Sequence, residues 1–312
     1  MPSVYEVITN RIIEQLEKGT APWHKPWAAP GLAGMPQNFI SKKSYRGINL
    51  WLLSATGYSS PAFLTFKQAA GLGGKVKTGE KGWPVIFWKF GQDDSTDKSW
   101  AFCRYYTVFN VSQCEGLQLP ISPAPAGPEV PAIEVCETIV ESWANRPPIN
   151  HGGDRACYSP SRDVVTMPER NSFCSPEEYY STLFHELTHS TGHDKRLKRP
   201  GVTDICPFGT TNYSREELVA EMGAAFLCGF AGIENKTIDN SAAYIASWLK
   251  RLKDDSKLVI TAAQQAQKAC DSILGSRPAV ELDDSAPVVT LPEASLVFTA
   301  PKVDAPAQYS LF

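Results

Sequence analysis

The sequence predicts an α+β fold in two domains, and three observations lead to this prediction. Its 312 residues correspond to about two domains of roughly 100–200 residues each. Five prolines fall between positions 119 and 132, where they prevent a helix or a central strand from continuing. Helix-period and strand-type segments occur on both sides of that stretch. We therefore place a first domain at 1–117, a linker at 118–131, a second domain at 132–275 and a disordered tail at 276–312.

The first domain is predicted to mix helices and strands. Apolar residues at helical spacing, closed by Gly19, predict an amphipathic helix at its start. Two stretches rich in aromatic and β-branched residues predict strands that pair around a polar turn. The predicted helices cover 4–18, 46–53 and 65–72, and the predicted strands cover 83–90 and 100–111.

The second domain is predicted to be mainly helical with one hairpin. Ser175 and Ser214 are each followed three residues later by a glutamate, which is the pattern of a capped helix start. Alternating residues over 155–159 and 163–167 predict a short hairpin. The predicted helices cover 132–145, Ser175 to Gly192, Ser214 to Leu227 and a last segment near 241–273.

The composition excludes several classes of protein. With 43% hydrophobic and 20% charged residues, the chain has the composition of an ordinary globular protein. No run of about 18 apolar residues predicts a membrane span, and Glu6, Glu14 and Glu17 are unlike a signal peptide. The eight cysteines form no Cys-x-x-Cys pair, which is typical of reduced thiols. We expect a cytoplasmic protein with no membrane partner.

A cluster of histidines predicts a metal site in the second domain. His185 and His189 are four residues apart in the string HELTH, so on a helix both imidazoles project from one face and can bind one ion. Glu186 lies beside them as the candidate catalytic base. The competing interpretation is a structural helix with surface histidines. The chain has only five histidines and a strongly marked helix start here, which favours the metal site.

A catalytic zinc site usually has three protein ligands, so a third must come from elsewhere in the chain. Glu217 and Glu221 have a spacing that resembles the Glu-x-x-x-Asp signature of thermolysin-like and neprilysin-like zincins. That resemblance implies that Glu217 ligates the metal and that Glu221 orients a ligand histidine. Two alternatives remain open. Either Glu221 or His193 is the third ligand, or Glu217 merely completes a capping box with Ser214.

These residues predict a zinc-dependent metallopeptidase of the gluzincin type. A divalent metal, Zn²⁺ or another such as Mn²⁺, polarises a peptide carbonyl and lowers the pKa of water. Glu186 takes the proton and returns it to the leaving amine. The strand-type segment 155–158 predicts a sheet edge to which an extended peptide adds. We therefore expect a hydrolase whose substrate is a peptide or protein.

The first domain is basic and rich in tryptophan. Residues 1–117 contain 13 Lys and Arg against 8 Asp and Glu, a balance of +5, whereas the other residues carry 17 against 25, a balance of −8. Six of the eight tryptophans lie in this first part. Such a composition is typical of single-stranded nucleic-acid binding, although tryptophans in a core produce the same counts. The candidate DNA-binding residues are Trp23, Lys25, Trp27, Tyr45, Arg46, Asn49, Lys67, Lys75, Lys77 and Lys81.

Long blocks of both domains resemble one protein family. They are GTAPWHKPW, YRGINLWLL, FLTFKQAAGLGGKVKTGEKGWPV and YYTVFNVSQCEGL in the first domain, and YYSTLFHELTHSTGHDKRL and YSREELVAEMGAAFL in the second. These blocks are similar to ArdC-type antirestriction proteins, whose first domain is shared with plasmid conjugative primases. The resemblance covers roughly residues 4–275. It implies single-stranded DNA binding, protection of incoming plasmid DNA from host restriction during conjugation, and a zincin-like metallopeptidase fold in the second domain.

Two other functions remain open at this level. One is a regulatory metalloprotease that its DNA-binding domain brings to host proteins. The other is a DNA-binding protein whose metal site is purely structural. The sequence identifies no peptide substrate and therefore does not choose between them.

The C-terminus carries a short motif of its own. The last five residues, QYSLF, resemble the peptide that docks on the bacterial sliding clamp, with Gln308, Leu311 and Phe312 as its anchors. A mobile proline-rich tail is the usual way to display such a peptide. An inert terminus is the competing interpretation.

Overall fold

A computed structural model describes most of the chain. The described residues are 3–19, 21–23, 34–93, 98–117, 131–203, 211–235 and 242–275. The helices are α1 (Val4–Glu17), α2 (Ile48–Ser54), α3 (Phe66–Gly71), α4 (Ala132–Ser142), α5 (Pro176–Ser190), α6 (Pro200–Thr203), α7 (Thr211–Ala231), α8 (Ala242–Asp254) and α9 (Leu258–Leu274). The strands are β1 (Gln37–Asn38), β2 (Ala62–Thr65), β3 (Lys75–Val76), β4 (Trp83–Asp93), β5 (Lys98–Asn110), β6 (Cys114–Glu115), β7 (Ile149–His151), β8 (Cys157–Ser159) and β9 (Val164–Met167). The predicted α+β class is confirmed.

Helix α1 begins with a complete capping box. The Ser3 side chain accepts a hydrogen bond from the N–H of Glu6, and the Glu6 carboxylate accepts one from the N–H of Ser3. On the inner face, Ile8, Ile12 and Leu16 are fully buried. The first predicted helix is therefore confirmed, together with the apolar face that its spacing predicted.

The first part of the chain is built on a four-stranded sheet with the strand order β1-β2-β5-β4. Strands β4 and β5 are antiparallel from Trp83 opposite Val108 to Asp93 opposite Lys98, which confirms the predicted strand pair. Strand β1 runs parallel to β2, so both end at the same side of the sheet. The two-residue strands β1, β3 and β6 were not predicted, because so short a segment carries no periodicity.

The second part packs long helices beside a small sheet. Helix α7 lies against both α5 and α9. The three-stranded sheet has the order β7-β9-β8, so β8 lies at its edge. Strands β8 and β9 are antiparallel, with Tyr158 opposite Val165, which confirms the predicted hairpin. Within the described residues, no helix combines the length and the apolar composition that a membrane span requires.

Two predicted helices have different limits. The helix predicted to begin at Ser214 begins at Thr211, so Ser214 lies inside α7 and is not its N-cap. The segment predicted as one helix near 241–273 is two helices, α8 and α9. Between them the Asp255 side chain accepts a hydrogen bond from the N–H of Lys257 at 2.9 Å, and this local turn interrupts the helix.

The two parts of the chain pack on each other through helices. Helix α1 contacts α8 and α9, helix α2 contacts α9, and their apolar residues belong to one buried cluster. The Thr9 hydroxyl donates to the Ser256 carbonyl at 2.6 Å, and the N–H of Gly47 donates to the Gln267 side chain at 3.1 Å. Residues 118–130 lie outside the described part of the chain. The domain boundaries therefore stay a prediction.

Candidate metal centre

Helix α5 presents the two histidines of the HELTH motif. It begins at an N-cap, Ser175, whose side chain accepts a backbone hydrogen bond from the first turn. Its inner face is anchored by Leu183 and Leu187, which are at most 1% exposed. Because His185 and His189 are four residues apart, both project from the opposite side, and their Nε2 atoms lie 3.1 Å from each other.

Helix α7 brings a carboxylate to the same point. Glu217 Oε2 lies 3.6 Å from His185 Nε2, and Glu217 Oε1 lies 3.7 Å from His189 Nε2. The two helices approach closely because of Gly223, where a Cβ would lie 2.5 Å from a methyl carbon of Thr188. Among the described residues, His185, His189 and Glu217 form the group whose donor atoms can hold a metal ion, all within 4.8 Å of one another.

The donor set fits a divalent transition metal. Two imidazole nitrogens and one carboxylate oxygen are ligands that Zn²⁺ and Mn²⁺ accept. The three side chains are between 14% and 28% exposed, so a further position can stay open to water or substrate. The capping-box interpretation of Glu217 was wrong, because Ser214 lies inside α7 and does not cap it.

Glu216, which was not predicted as a site residue, holds His189. Its Oε1 lies 3.2 Å from His189 Nδ1, so the imidazole Nε2 is directed at the metal site. Burial opposes a charge on His189, but the hydrogen bond and charge of Glu216, together with the charges of Glu186 and Glu217, outweigh it and raise the pKa of His189 to about 9. The spacing that indicated Glu217 and Glu221 gave no signal for Glu216, although this residue is adjacent to Glu217 in the sequence.

Arg199 fixes Glu216 in turn. Its guanidinium donates to Glu216 Oε2 at 2.9 Å and to Oε1 at 2.6 Å. It also donates to the Thr191 hydroxyl at 2.6 Å and to the Thr188 carbonyl at 2.8 Å. Burial opposes a charge on Glu216, but Arg199 and His189 together lower the pKa of that carboxyl below its ordinary value. The buried carboxylate therefore stays charged between a cation and a histidine of the site.

Glu186, which follows His185 on α5, contacts the edge strand β8. Its Oε2 accepts a hydrogen bond from the N–H of Tyr158 at 2.7 Å. The Tyr158 hydroxyl donates to Asp163 at 2.9 Å, and Asp163 is paired with Arg196. The candidate base is thus hydrogen-bonded to the backbone of the edge strand.

His193 is directed away from the convergent group. Its Nδ1 lies 3.7 Å from Asp163 Oδ2 and accepts a hydrogen bond from the N–H of Lys195 at 3.2 Å. Helix α5 ends before this residue, with Thr191 as its C-cap, so helical spacing no longer aligns His193 with His189. The geometry favours Glu217 over His193 as the third ligand.

Glu216 and Glu217 contact the histidines, whereas Glu221 contacts Trp23 in the first part of the chain. Its Oε2 accepts a hydrogen bond from Trp23 Nε1 at 3.3 Å and another from the Tyr244 hydroxyl. Desolvation raises the pKa of Glu221 to about 7, against the hydrogen bond from Tyr244. Trp23 is 0% exposed, which favours the core use of this tryptophan over the predicted stacking on DNA bases.

Known proteins with similar sequences and structures identify the family of this chain. Residues 2–109 match the family model of the N-terminal domain of the anti-restriction factor ArdC, and residues 136–265 match that of a zincin-like metallopeptidase. Crystal structures of the antirestriction ArdC protein from plasmid R388, metal-free and Mn(II)-bound, align with TM-scores of 0.69 and 0.70 at 36% identity, over 88% of this chain and 98% of theirs. The chain belongs to the ArdC antirestriction family. The resemblance of its sequence blocks is thereby confirmed.

Curated relatives of this ArdC-family chain include primases. Two proteins named DNA primase TraC from Escherichia coli are 40% and 38% identical over 86% of this chain, which covers 20% and 27% of their lengths. The uncharacterized protein y4eC from Sinorhizobium fredii is 36% identical over 86% of this chain and 90% of its own length. The chain therefore spans about a quarter or less of the two primases and nearly all of y4eC.

The predicted DNA-binding residues of this ArdC-family chain differ in exposure and in the contacts that they make. Lys25 and Trp27 lie outside the described residues, as do the predicted clamp anchors Gln308, Leu311 and Phe312. Tyr45 is half-buried, and Arg46 is paired with Asp271 of α9. Asn49 donates to the Ile86 carbonyl at 2.7 Å and accepts from the Ile86 N–H at 2.8 Å. Arg46 and Asn49 thus connect elements of the fold.

The predicted lysines of the ArdC-type N-terminal part lie on its surface. They are Lys67, Lys75, Lys77 and Lys81, and all four are exposed. Lys75 is paired with Glu115 at 3.1 Å, and Lys77 Nζ donates to the Ser112 carbonyl at 2.8 Å. Next to Lys67, the side chain of Phe66 is 62% exposed. This residue was not among the predicted DNA-binding residues. Its position at the start of a capped helix, directly before a lysine, was the available signal.

Proposed function

We propose that this chain is an antirestriction protein that binds single-stranded DNA through its first part and carries a divalent-metal peptidase centre in its second. In this role it protects incoming plasmid DNA from host restriction during conjugation. The observation that carries the proposal is the convergence of His185, His189 and Glu217, with Glu186 beside them at a sheet edge. Family membership and the Mn(II)-bound form of the R388 protein support it.

In the proposed centre, His185, His189 and Glu217 would hold the ion, Zn²⁺ or Mn²⁺, through two Nε2 atoms and a carboxylate oxygen. A bound divalent metal supplies Lewis acidity towards a peptide carbonyl and towards water. Glu186 takes the proton of the attacking water and hands it to the leaving amine. The N–H of Tyr158 holds this carboxylate by its Oε2, and the edge of β8 orients an extended peptide through backbone hydrogen bonds.

Replacing Glu217 with glutamine is expected to weaken Mn²⁺ binding by about tenfold or more, because a neutral amide replaces a charged ligand. Calorimetric titration of metal-free protein with Mn²⁺, and then with Zn²⁺, measures this loss. Glu169→Gln is the matched control, since it removes an exposed carboxylate outside the convergent group. Unchanged affinity in Glu217→Gln would contradict its role as a ligand. Absence of binding by the unaltered protein would contradict the metal centre itself.

We assign single-stranded DNA to one end of the first sheet. Among the described residues, Ile40 and Phe66 are the large hydrophobic side chains that are exposed, at 49% and 62%. Strands β1 and β2 run parallel, and each of these residues follows the end of one of them. The Asn38 side chain donates to Gln68 at 3.2 Å and joins the two segments. The exposed apolar residues therefore belong to one surface.

Basic side chains accompany this apolar surface. Lys42, Lys43 and Lys67 are exposed and lie within three residues of Ile40 or Phe66 along the chain. Lysines that contact phosphates while an aromatic ring stacks on a base are the usual arrangement for binding single-stranded DNA. The surface therefore offers both kinds of contact.

The variant Phe66→Ala is expected to weaken single-stranded DNA binding by about 1–3 kcal/mol, roughly 5- to 150-fold, because one stacked base loses its partner. Fluorescence anisotropy with a labelled oligonucleotide measures the change. The side chain is 62% exposed, so we expect the fold to persist. Phe66→Trp keeps an aromatic face and should bind as the unaltered protein does. Undiminished affinity in Phe66→Ala would place the DNA surface elsewhere.

A second candidate function is a metalloprotease that its DNA-binding part brings to host proteins. The position of Glu186 against the edge of β8 favours this function, because that edge is suited to an extended peptide. The purely structural metal site is a third candidate and needs no peptide. The cytoplasmic location and the docking of QYSLF on a sliding clamp stay predictions.

A further inference from the structure

The contact between Trp23 and Glu221 is explained neither by DNA binding nor by the metal ligands. Trp23 belongs to the first part of the chain, whereas Glu221 lies on α7, one helical turn beyond Glu217. The indole N–H is 3.3 Å from Glu221 Oε2 and 3.1 Å from the Tyr244 hydroxyl oxygen. Trp248 packs edge-on against Trp23, with 6.3 Å between ring centroids. These contacts fix the indole beside the carboxylate.

Two donors meet the same oxygen of Glu221. The Tyr244 hydroxyl donates to Oε2, which is also the oxygen that receives the indole N–H of Trp23. Within the described part of the chain, both hydrogen bonds to this carboxylate end on Oε2, which leaves Oε1 for a further donor. Donors on one side of a half-buried carboxylate determine the direction of the whole group.

A buried donor that lacks a partner lies close to this carboxylate. Counting only the residues that the structure describes, His185 Nδ1 is buried with no hydrogen-bond partner. A histidine that binds metal through Nε2 carries its proton on Nδ1 and normally donates it to a carboxylate or carbonyl. Glu221 lies four residues beyond Glu217 and so on the same side of α7, and Glu217 Oε2 is 3.6 Å from His185 Nε2, which places Glu221 near this histidine. His185 Nδ1 can donate a hydrogen bond, and Glu221 Oε1 can accept one.

We propose that Trp23 and Tyr244 are positioning residues of the metal centre, which hold Glu221 so that it accepts the Nδ1–H of His185. This inference rests on the proposed function, because it requires His185 to bind a metal through Nε2. It assigns one outer partner to each histidine: Glu216 holds His189, and Glu221 holds His185 with the help of Trp23. The DNA-binding part of the chain thereby supplies a residue on which the metal affinity of the other part depends.

The variant Trp23→Phe keeps an aromatic ring and removes the N–H. We expect it to weaken Mn²⁺ binding about tenfold in calorimetric titration, the lower end of the effect that outer partners of metal ligands have. In a Glu221→Gln background the same substitution should change nothing further, because the carboxylate through which it acts is gone. Trp143→Phe is the matched control, since the indole nitrogen of Trp143 is buried with no partner among the described residues. It should leave Mn²⁺ affinity unchanged.

Three results would overturn the positioning role: unchanged affinity in Trp23→Phe, an equal loss in Trp143→Phe, or an equal loss in the Glu221→Gln background. Circular dichroism and thermal unfolding verify that each variant folds. Tyr244→Phe removes the other donor to the same oxygen and decides the question if Trp23→Phe does not fold. If the unaltered protein binds no Mn²⁺, the proposed metal centre fails. If it binds Mn²⁺ and neither variant weakens binding, only the positioning role fails.

Discussion

Replacing Glu186 with glutamine should lower peptide hydrolysis by about 10²–10⁴-fold while metal binding and DNA binding persist. A loss of this size is the usual contribution of a general base. Glutamine has nearly the same shape, and its side-chain oxygen can still accept the hydrogen bond from the N–H of Tyr158. Fluorescently labelled unfolded casein is a suitable substrate, because an extended chain adds to a strand edge mainly through its backbone. Hydrolysis that is unchanged in Glu186→Gln would contradict its role as the base.

The same variant separates the candidate mechanisms of antirestriction. Transfer of a restriction-sensitive plasmid into restricting and non-restricting recipients measures the protection. We expect protection to survive in Glu186→Gln, because the proposed mechanism depends on DNA binding. Loss of protection with intact DNA binding would instead support the protease and exclude a purely structural metal site. Phe66→Ala is the complementary variant, since it should lose DNA affinity and keep hydrolysis.

Replacing Arg199 with alanine should lower the free energy of unfolding by about 3–5 kcal/mol, because it leaves the carboxylate of Glu216 buried without its cation. Arg199 is 4% exposed and makes hydrogen bonds to both oxygens of that carboxylate. Urea unfolding followed by circular dichroism measures the change. Mn²⁺ affinity should fall as well, because Glu216 is no longer fixed against His189.

An exposed ion pair serves as the control for this prediction. Arg11 and Glu14 are 2.9 Å apart with side chains 37% and 51% exposed, so Arg11→Ala should cost less than about 1 kcal/mol. Arg199→Lys should also destabilise, since an ammonium cannot reproduce the paired hydrogen bonds of the guanidinium. Equal stability of the Arg199→Ala and Arg11→Ala proteins would show that the buried pair has no special role.

Local patterns were sufficient for the elements that carry the site. The N-cap at Ser175, the spacing of the HELTH histidines and the alternation of the hairpin all depend on neighbours a few residues away, and each was predicted. The break between α8 and α9 was missed, because it depends on a hydrogen bond from the backbone to the Asp255 side chain rather than on a change of composition. Strands of two residues were missed because only their partners define them.

Helix periodicity and long family blocks were enough to predict the α+β class, the ArdC family and the helix that bears His185, Glu186 and His189. They left the third ligand open among Glu217, Glu221 and His193, and they did not identify Glu216 as the partner of His189. Successive side chains on a helix point about 100° apart, which sets their directions only relative to the helix's own axis. The rotation of α7 against α5 comes from packing, as where Gly223 meets Thr188. Tertiary packing therefore decided which carboxylate meets which histidine.

Tertiary packing also explains why Trp23 is buried. A tryptophan can stack on a base or fill a core, and composition does not distinguish these two uses. The distinction depends on groups far away in the sequence, here Glu221 and Tyr244, which offer the indole N–H its partners. Only the packing of the first part of the chain against the second places Trp23 in the core beside the metal centre.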